Sequence, residues 1–207
     1  MRTTTLATRR PRGMHPKSRG ARQLARGKGL PEYLEKPEVD FLIAAAEHAE
    51  AALLMEVGWR AALRISETLN LEPGDLQLDA DRPTLRVRQG KGQRTRIVPI
   101  HPELRVALEN YLRYTGRKSG KLFTTTHRQT AWRWVKRAFA KAVERGQIPP
   151  DRKVGTHTLR HSCARHWLAS GIPINVVQRW LGHKSLQTTL VYLEILPDPT
   201  GSIERVP

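Results

Sequence analysis

Cysteine is nearly absent from this chain of 207 residues. The single thiol, Cys163, excludes an internal disulfide and fits a reducing compartment such as the cytoplasm. Long apolar runs are missing as well. No stretch reaches the ~18 consecutive apolar residues that a membrane-spanning helix needs. The first residues lack the apolar segment of a secretory signal. Hydrophobic residues make up 39% and aromatic residues 6% of the chain, enough for one ordinary packed core. Acidic residues are scarce, and residues 1–31 contain none.

Positive charge is what the chain has in excess. Lys and Arg number 36 against 19 Asp and Glu, for a net charge of +17 and a pI near 11.0. That balance points to a polyanionic partner, with nucleic acid first. The charge is unevenly spread, because Arg2, Arg9, Arg10, Arg12, Lys17, Arg19, Arg22, Arg26 and Lys28 all fall in residues 1–31. This segment is rich in Thr, Gly and Pro and has no apolar period, so it reads as a disordered basic arm. Its role is either phosphate binding by counterion release or that of a solvated leader.

Past the arm, periodicity predicts a mainly helical α+β domain over residues 32–207. Pro37 opens a helix with Val39, Leu42, Ile43 and Ala46 on one face, and a second helix buries Ala52, Met55 and Trp59. Arg64 and Glu67, three residues apart, share a face. From Thr84 the period changes to two: Leu85 and Val87 alternate with Arg86 and Arg88, and a second strand runs from Thr95 to Ile100. Lys91, in Gly90-Lys91-Gly92, sits near the tip of this predicted hairpin. Helices follow from Pro102 to Tyr114 and from Gln129 to Glu144, the latter with Trp132, Val135, Phe139 and Val143 as its buried stripe. Its other side carries Arg133, Lys136, Arg137 and Lys141, either a solvated face or a contact to a DNA backbone. Three short helices close the chain, from His157 to Ser170 with Leu159, Cys163 and Trp167 inward, from Pro173 to Leu181, and from Ser185 to Tyr192.

These elements carry groups suited to phosphodiester chemistry. Cleavage needs a nucleophile, charge on the non-bridging oxygens and a proton for the leaving oxygen. Tyr192 offers a phenol, and a cationic pocket would favour its ionised form while an adjacent imidazole accepts its proton. Arg64 and Arg160 can each fork onto phosphate oxygens. His183 can donate to the same phosphate. His157, one turn before Arg160, can reach the phenol or the phosphate. Lys91 can protonate the leaving 5′ oxygen, and Glu67 can aim a cation. Competing chemistries fit less well. His157 and His161 stand at i, i+4 as in zinc proteases, with His166 beyond, but the adjacent Glu is missing. Ser162 lacks the Gly-flanked turn of a serine nucleophile. The scheme calls for no metal and no cofactor.

The ordered set resembles the catalytic domain of the tyrosine recombinases, or phage integrases. The matching strings are Leu63-Arg64-Ile65-Ser66-Glu67, Gly90-Lys91-Gly92 followed by Arg96-Ile97-Val98-Pro99, His157-Thr158-Leu159-Arg160-His161-Ser162, Leu181-Gly182-His183, and Thr188-Thr189 before Tyr192. The resemblance covers residues 32–195. It implies a phosphate site built from Arg64, Lys91, His157, Arg160 and His183, with Glu67 in support. It also implies a 3′-phosphotyrosyl link at Tyr192, double-stranded DNA as partner, and a homo-tetramer acting on two DNA sites. Two departures stand out. Ala62 replaces the glycine that usually precedes Leu-Arg, and a basic arm stands where the family usually has a helical core-binding domain. Two other activities share the same residues: type IB topoisomerase-like relaxation, and a non-catalytic or regulatory DNA-binding protein.

Overall fold

The computed structural model describes residues 31–88 and 95–196. The basic arm, except for Pro31, lies outside the described residues, as do Lys91 with the hairpin tip and the segment from Pro197 onward. Eight α-helices, one 3-10 turn (Pro73–Asp75) and three short strands are seen in the described residues. They are α1 (Lys36–Ala44), α2 (Ala49–Arg60), α3 (Ile65–Thr68), α4 (Pro102–Thr115), α5 (Arg128–Glu144), α6 (Thr156–Ala169), α7 (Ile174–Leu181) and α8 (Gln187–Leu190), with β1 (Leu76–Gln77), β2 (Thr84–Val87) and β3 (Arg96–Pro99). The fold is thus mainly helical with a small antiparallel sheet in the order β1-β2-β3.

The central element is α2. Seven of its twelve residues are buried, from Ala51 to Trp59, as its nearly all-round apolar surface predicts. His48 caps it, with Nδ1 accepting from the Ala51 amide at 3.2 Å. The helices α1, α4, α5 and α6 pack around it. Gly58 sets the closest approach: a side-chain carbon there would lie 3.3 Å from Leu159 Cβ. This contact draws α6, which carries much of the site, down onto the core.

Helix α6 in turn seats α7 through Trp167 and Trp180, whose rings meet edge to face at 5.1 Å. Gly182 stops α7 in the left-handed conformation, φ 66°, and so turns the chain toward His183. Cys163 is buried in the α6 core stripe, and burial pushes its thiol well above the ordinary range, so it acts as a packing residue. Ser162 is tied into the backbone, donating to the Thr158 carbonyl at 2.8 Å and accepting from the Leu34 amide at 2.8 Å.

Three expectations are corrected here. The sheet has a third strand, β1, pairing Leu76 with Leu85. The last helix is shorter than Ser185 to Tyr192, spanning Gln187–Leu190, with turns carrying the chain through Tyr192. On α5 the buried stripe is Ala131, Val135, Ala138 and Ala142, while Trp132 is 47% exposed. Small alanines let α5 lie close against α1 and α2, and the indole turns outward, where the Lys136 ammonium sits 5.6 Å over its ring.

Candidate active site

Arg64, His157, Arg160, His183 and Tyr192 line one cavity of about 560 Å³, together with Pro31, His161, Thr188, Val191 and Glu194. Four separate segments deliver them: the entry to α3, helix α6, the turn after α7, and the turns after α8.

Arg64 is the N-cap residue of α3, in extended conformation. Its amide donates to Glu67 Oε2 at 2.8 Å and its guanidinium to Glu67 Oε1 at 3.0 Å. The Arg64 side chain remains 37% exposed and faces the cavity. Glu67 lies beneath it and also receives both terminal nitrogens of Arg96, at 2.9 and 2.8 Å. Burial opposes ionisation of Glu67, but hydrogen bonds and charge from Arg96, with help from Arg64, overcome it and hold the carboxyl at about 2. Arg96 Nε donates to the Trp180 carbonyl at 2.7 Å. One carboxylate thus joins α3 to β3, and Arg96 joins β3 to α7.

Arg160 is 3% exposed. It donates through one terminal nitrogen to the Ala62 carbonyl, and through the other to the Leu181 carbonyl at 2.7 Å and to His183 Nε2 at 3.1 Å. Burial, then the Arg64 charge, lowers its pKa to about 10, so the guanidinium stays charged at neutral pH. A guanidinium can only donate, so His183 Nε2 accepts and its proton sits on Nδ1, which donates to Thr189 Oγ1 at 2.9 Å. Burial, followed by the charge of Arg160, depresses His183 to about 4. In this state the neutral ring has its Nε2 lone pair turned to Arg160.

The Tyr192 phenol is 2% exposed and lies 2.9 Å from His161 Nδ1. Its ring stacks on that of His183, centroids 6.4 Å apart and 12° from parallel. The sequence suggested that cationic surroundings would favour phenolate. Instead burial dominates: the phenol is raised above its ordinary value, although Arg160 and Arg64 pull the other way. His157 is the most open of the site histidines and is lowered by burial, then by Arg160 and Arg64. Its ring lies 6.4 Å from that of His161.

The basic face of α5 does not line the cavity. Arg137 and Lys141 pair with Glu47 at 3.1 and 3.7 Å, Lys136 sits over Trp132, and Arg133 is exposed. Two residues carry more of the site than sequence reasoning assigns them. In the sequence His161 stands out only as a possible metal ligand, yet its position next to Arg160 and one turn after His157 already puts it on the same face. Arg96 is a charged residue at an inward register position of a strand, a departure from alternation that marks a buried partner.

Comparison with known proteins identifies the family. The model of the phage integrase family matches residues 32–197. A tyrosine recombinase of Thermosipho africanus is 36% identical over 174 residues, covering 80% of this chain and 58% of the relative. Tyrosine recombinase XerA of Pyrococcus horikoshii is 33% identical over 176 residues, covering 81% of this chain and 58% of the relative. The chain therefore spans a little over half the length of each of these relatives. A crystal structure of XerA recombinase superposes with a TM-score of 0.72 at 29% identity, over 87% of this chain and 67% of that one. On the strength of the match over residues 32–197, the chain belongs to the phage integrase family of tyrosine recombinases.

Proposed function

We propose that this chain is a site-specific DNA recombinase that cuts and rejoins double-stranded DNA through a 3′-phosphotyrosyl intermediate at Tyr192. The observation that carries the reading is the gathering of one phenol, two guanidiniums and three imidazoles in a single cavity. Groups of this kind supply what phosphoryl transfer requires. The Tyr192 oxygen attacks phosphorus, the bond to the 5′ oxygen breaks, and the leaving oxygen takes a proton to become a free 5′ hydroxyl. Arg64 and Arg160 stabilise the non-bridging oxygens, with His157 and His183 beside them and Glu67 bracing Arg64 from below. The proton donor is Lys91, a role that rests on its motif in the sequence. Residues 32–207 act as the catalytic domain and residues 1–31 as a basic arm on the DNA. Arg133, Lys136, Arg137 and Lys141 contact the phosphate backbone, with Arg137 and Lys141 exchanging Glu47 for phosphate. The acting form is a homo-tetramer holding two DNA sites, as the resemblance implies.

A nicked suicide duplex tests the chemistry. When the strand beyond the cut diffuses away, the wild-type chain becomes covalently trapped on DNA. Tyr192→Phe is expected to bind the duplex normally and form no adduct. Equal behaviour of the two proteins rules the reading out, and loss of supercoils without recombinant product redirects it to DNA relaxation.

A further inference from the structure

One imidazole in the cavity has no part in the scheme above. We propose that His161 is the general base for the nucleophile, its Nδ1 taking the Tyr192 proton as the phenol oxygen bonds to phosphorus. The inference deepens the recombinase reading and rests on it.

The geometry pairs the phenol with a single imidazole nitrogen. Phenol oxygen and Nδ1 are 2.9 Å apart, and among the described residues no other group hydrogen-bonds the hydroxyl. In the tautomer that carries its hydrogen on Nε2, the phenol donates and Nδ1 accepts, which is the arrangement a base requires. The other imidazoles are less suited. His183 is held at both nitrogens, by Thr189 and Arg160, and meets Tyr192 face to face rather than through a lone pair. His157 reaches the neighbourhood of His161, with 6.4 Å between ring centres, and makes no hydrogen bond to the phenol among the described residues.

The surrounding charges make the base conditional on substrate. His157 and Arg160 face it from α6, Arg64 from the start of α3, His183 from the turn after α7, and Tyr192 and Glu194 from beyond α8. Burial, then His157 and Arg160, holds His161 down to about 4, while burial raises the phenol. With the imidazole held down and the phenol raised, proton transfer is uphill and the phenol stays protonated. A DNA phosphate seated between Arg64 and Arg160 brings negative charge that offsets the cations opposing an imidazolium. The proton leaves as the oxygen–phosphorus bond forms, so no free phenolate accumulates. On rejoining, the 5′ hydroxyl gives its proton back to the group that supplied it, its oxygen bonds to phosphorus as the bond to tyrosine breaks, and the imidazolium returns its proton to the phenol oxygen. The same phosphate that is attacked thus turns on its attacker.

The test is single-turnover cleavage of the nicked duplex across pH, comparing wild type with His161→Asn. Asparagine offers an amide oxygen near the Nδ1 position, so it keeps the hydrogen bond and cannot take the proton. The variant is expected to bind the duplex as wild type does and to cleave about 10²–10⁴-fold more slowly, the usual share of a general base. The wild-type rate should fall toward acid as the imidazole protonates, and the variant should lack that limb. A variant with the wild-type rate and pH profile makes His161 a positioning group only and overturns the proposal. If His161→Asn fails to bind the duplex, His161→Ala with free imidazole decides: restored cleavage supports the base, and no restoration overturns it. A wild-type chain that is never trapped on DNA overturns both this proposal and the recombinase reading. Trapping by wild type with an unimpaired His161→Asn overturns this one alone.

Discussion

Ala62 shows how much of the site depends on single residues. It is the one non-glycine with positive φ among the described residues, at 51°. The turn it makes points its carbonyl at Arg160, buries Leu63, and sends Arg64 into the cavity. An L-residue in that conformation costs about 1–2 kcal/mol. Ala62→Gly is expected to relieve most of this, offset by greater freedom of the unfolded chain, for a net gain of about 0.5–1 kcal/mol. Thermal unfolding checks it; a lower midpoint would mean that the fully buried methyl group outweighs the backbone strain. The main site residues were legible in the sequence because each sits in a short local string: Arg64 beside Ile65-Ser66-Glu67, His157 one turn before Arg160, His183 after Leu181-Gly182. The partnership of His161 with Tyr192 was not, since it joins side chains 31 positions apart through tertiary packing. The phenol's raised pKa was hidden for a related reason: counting nearby cations ignores desolvation, which here is larger.

At the scale of elements, the site is held by a buried charge cluster. Glu67 links α3 to Arg96 on β3, and Arg96 reaches the α7 carbonyl of Trp180. Strands and helices were readable from their periods of two and 3.6, but such links follow no period. Strand β1 has only two residues, too few for alternation to register, and α5 rotated its stripe because small alanines pack closer than Trp132 permits. The cluster predicts a pH dependence of stability in two windows. His161 and His183 are depressed from 6.5 to about 4, so they favour the folded state fully above pH 6.5, and that contribution is lost as pH falls through 4. Glu67 is depressed from 4.5 to about 2, so its contribution is present above 4.5 and lost as pH falls toward 2. These two histidines alone contribute a slope of up to about 2.7 kcal/mol per pH unit in the first window, and His101, His157 and His166, also lowered, add to it. Urea unfolding at a series of pH values in phosphate-free buffer measures this; flat stability between pH 6.5 and 4 would contradict the buried, neutral histidines.

For the whole molecule, one core joins Leu34 to Tyr192, so the proposed nucleophile is part of the packing that holds the candidate site together. Charge distribution was legible from composition alone. With a net charge of +17, and nine basic and no acidic residues in residues 1–31, phosphate binding is the role proposed for the arm. Removing residues 1–30 is expected to flatten the plot of log affinity for duplex DNA against log salt, by about 0.9 for each phosphate that the arm neutralises. An unchanged slope would make the arm a bystander. The central claim is that a buried phenol, held among guanidiniums and imidazoles, attacks a DNA phosphate. Covalent trapping on a nicked suicide duplex measures it most directly. The account predicts a protein–DNA adduct with the wild-type chain that vanishes in Tyr192→Phe while binding persists; an adduct that survives the loss of that hydroxyl, or none with either protein despite tight binding, would contradict it.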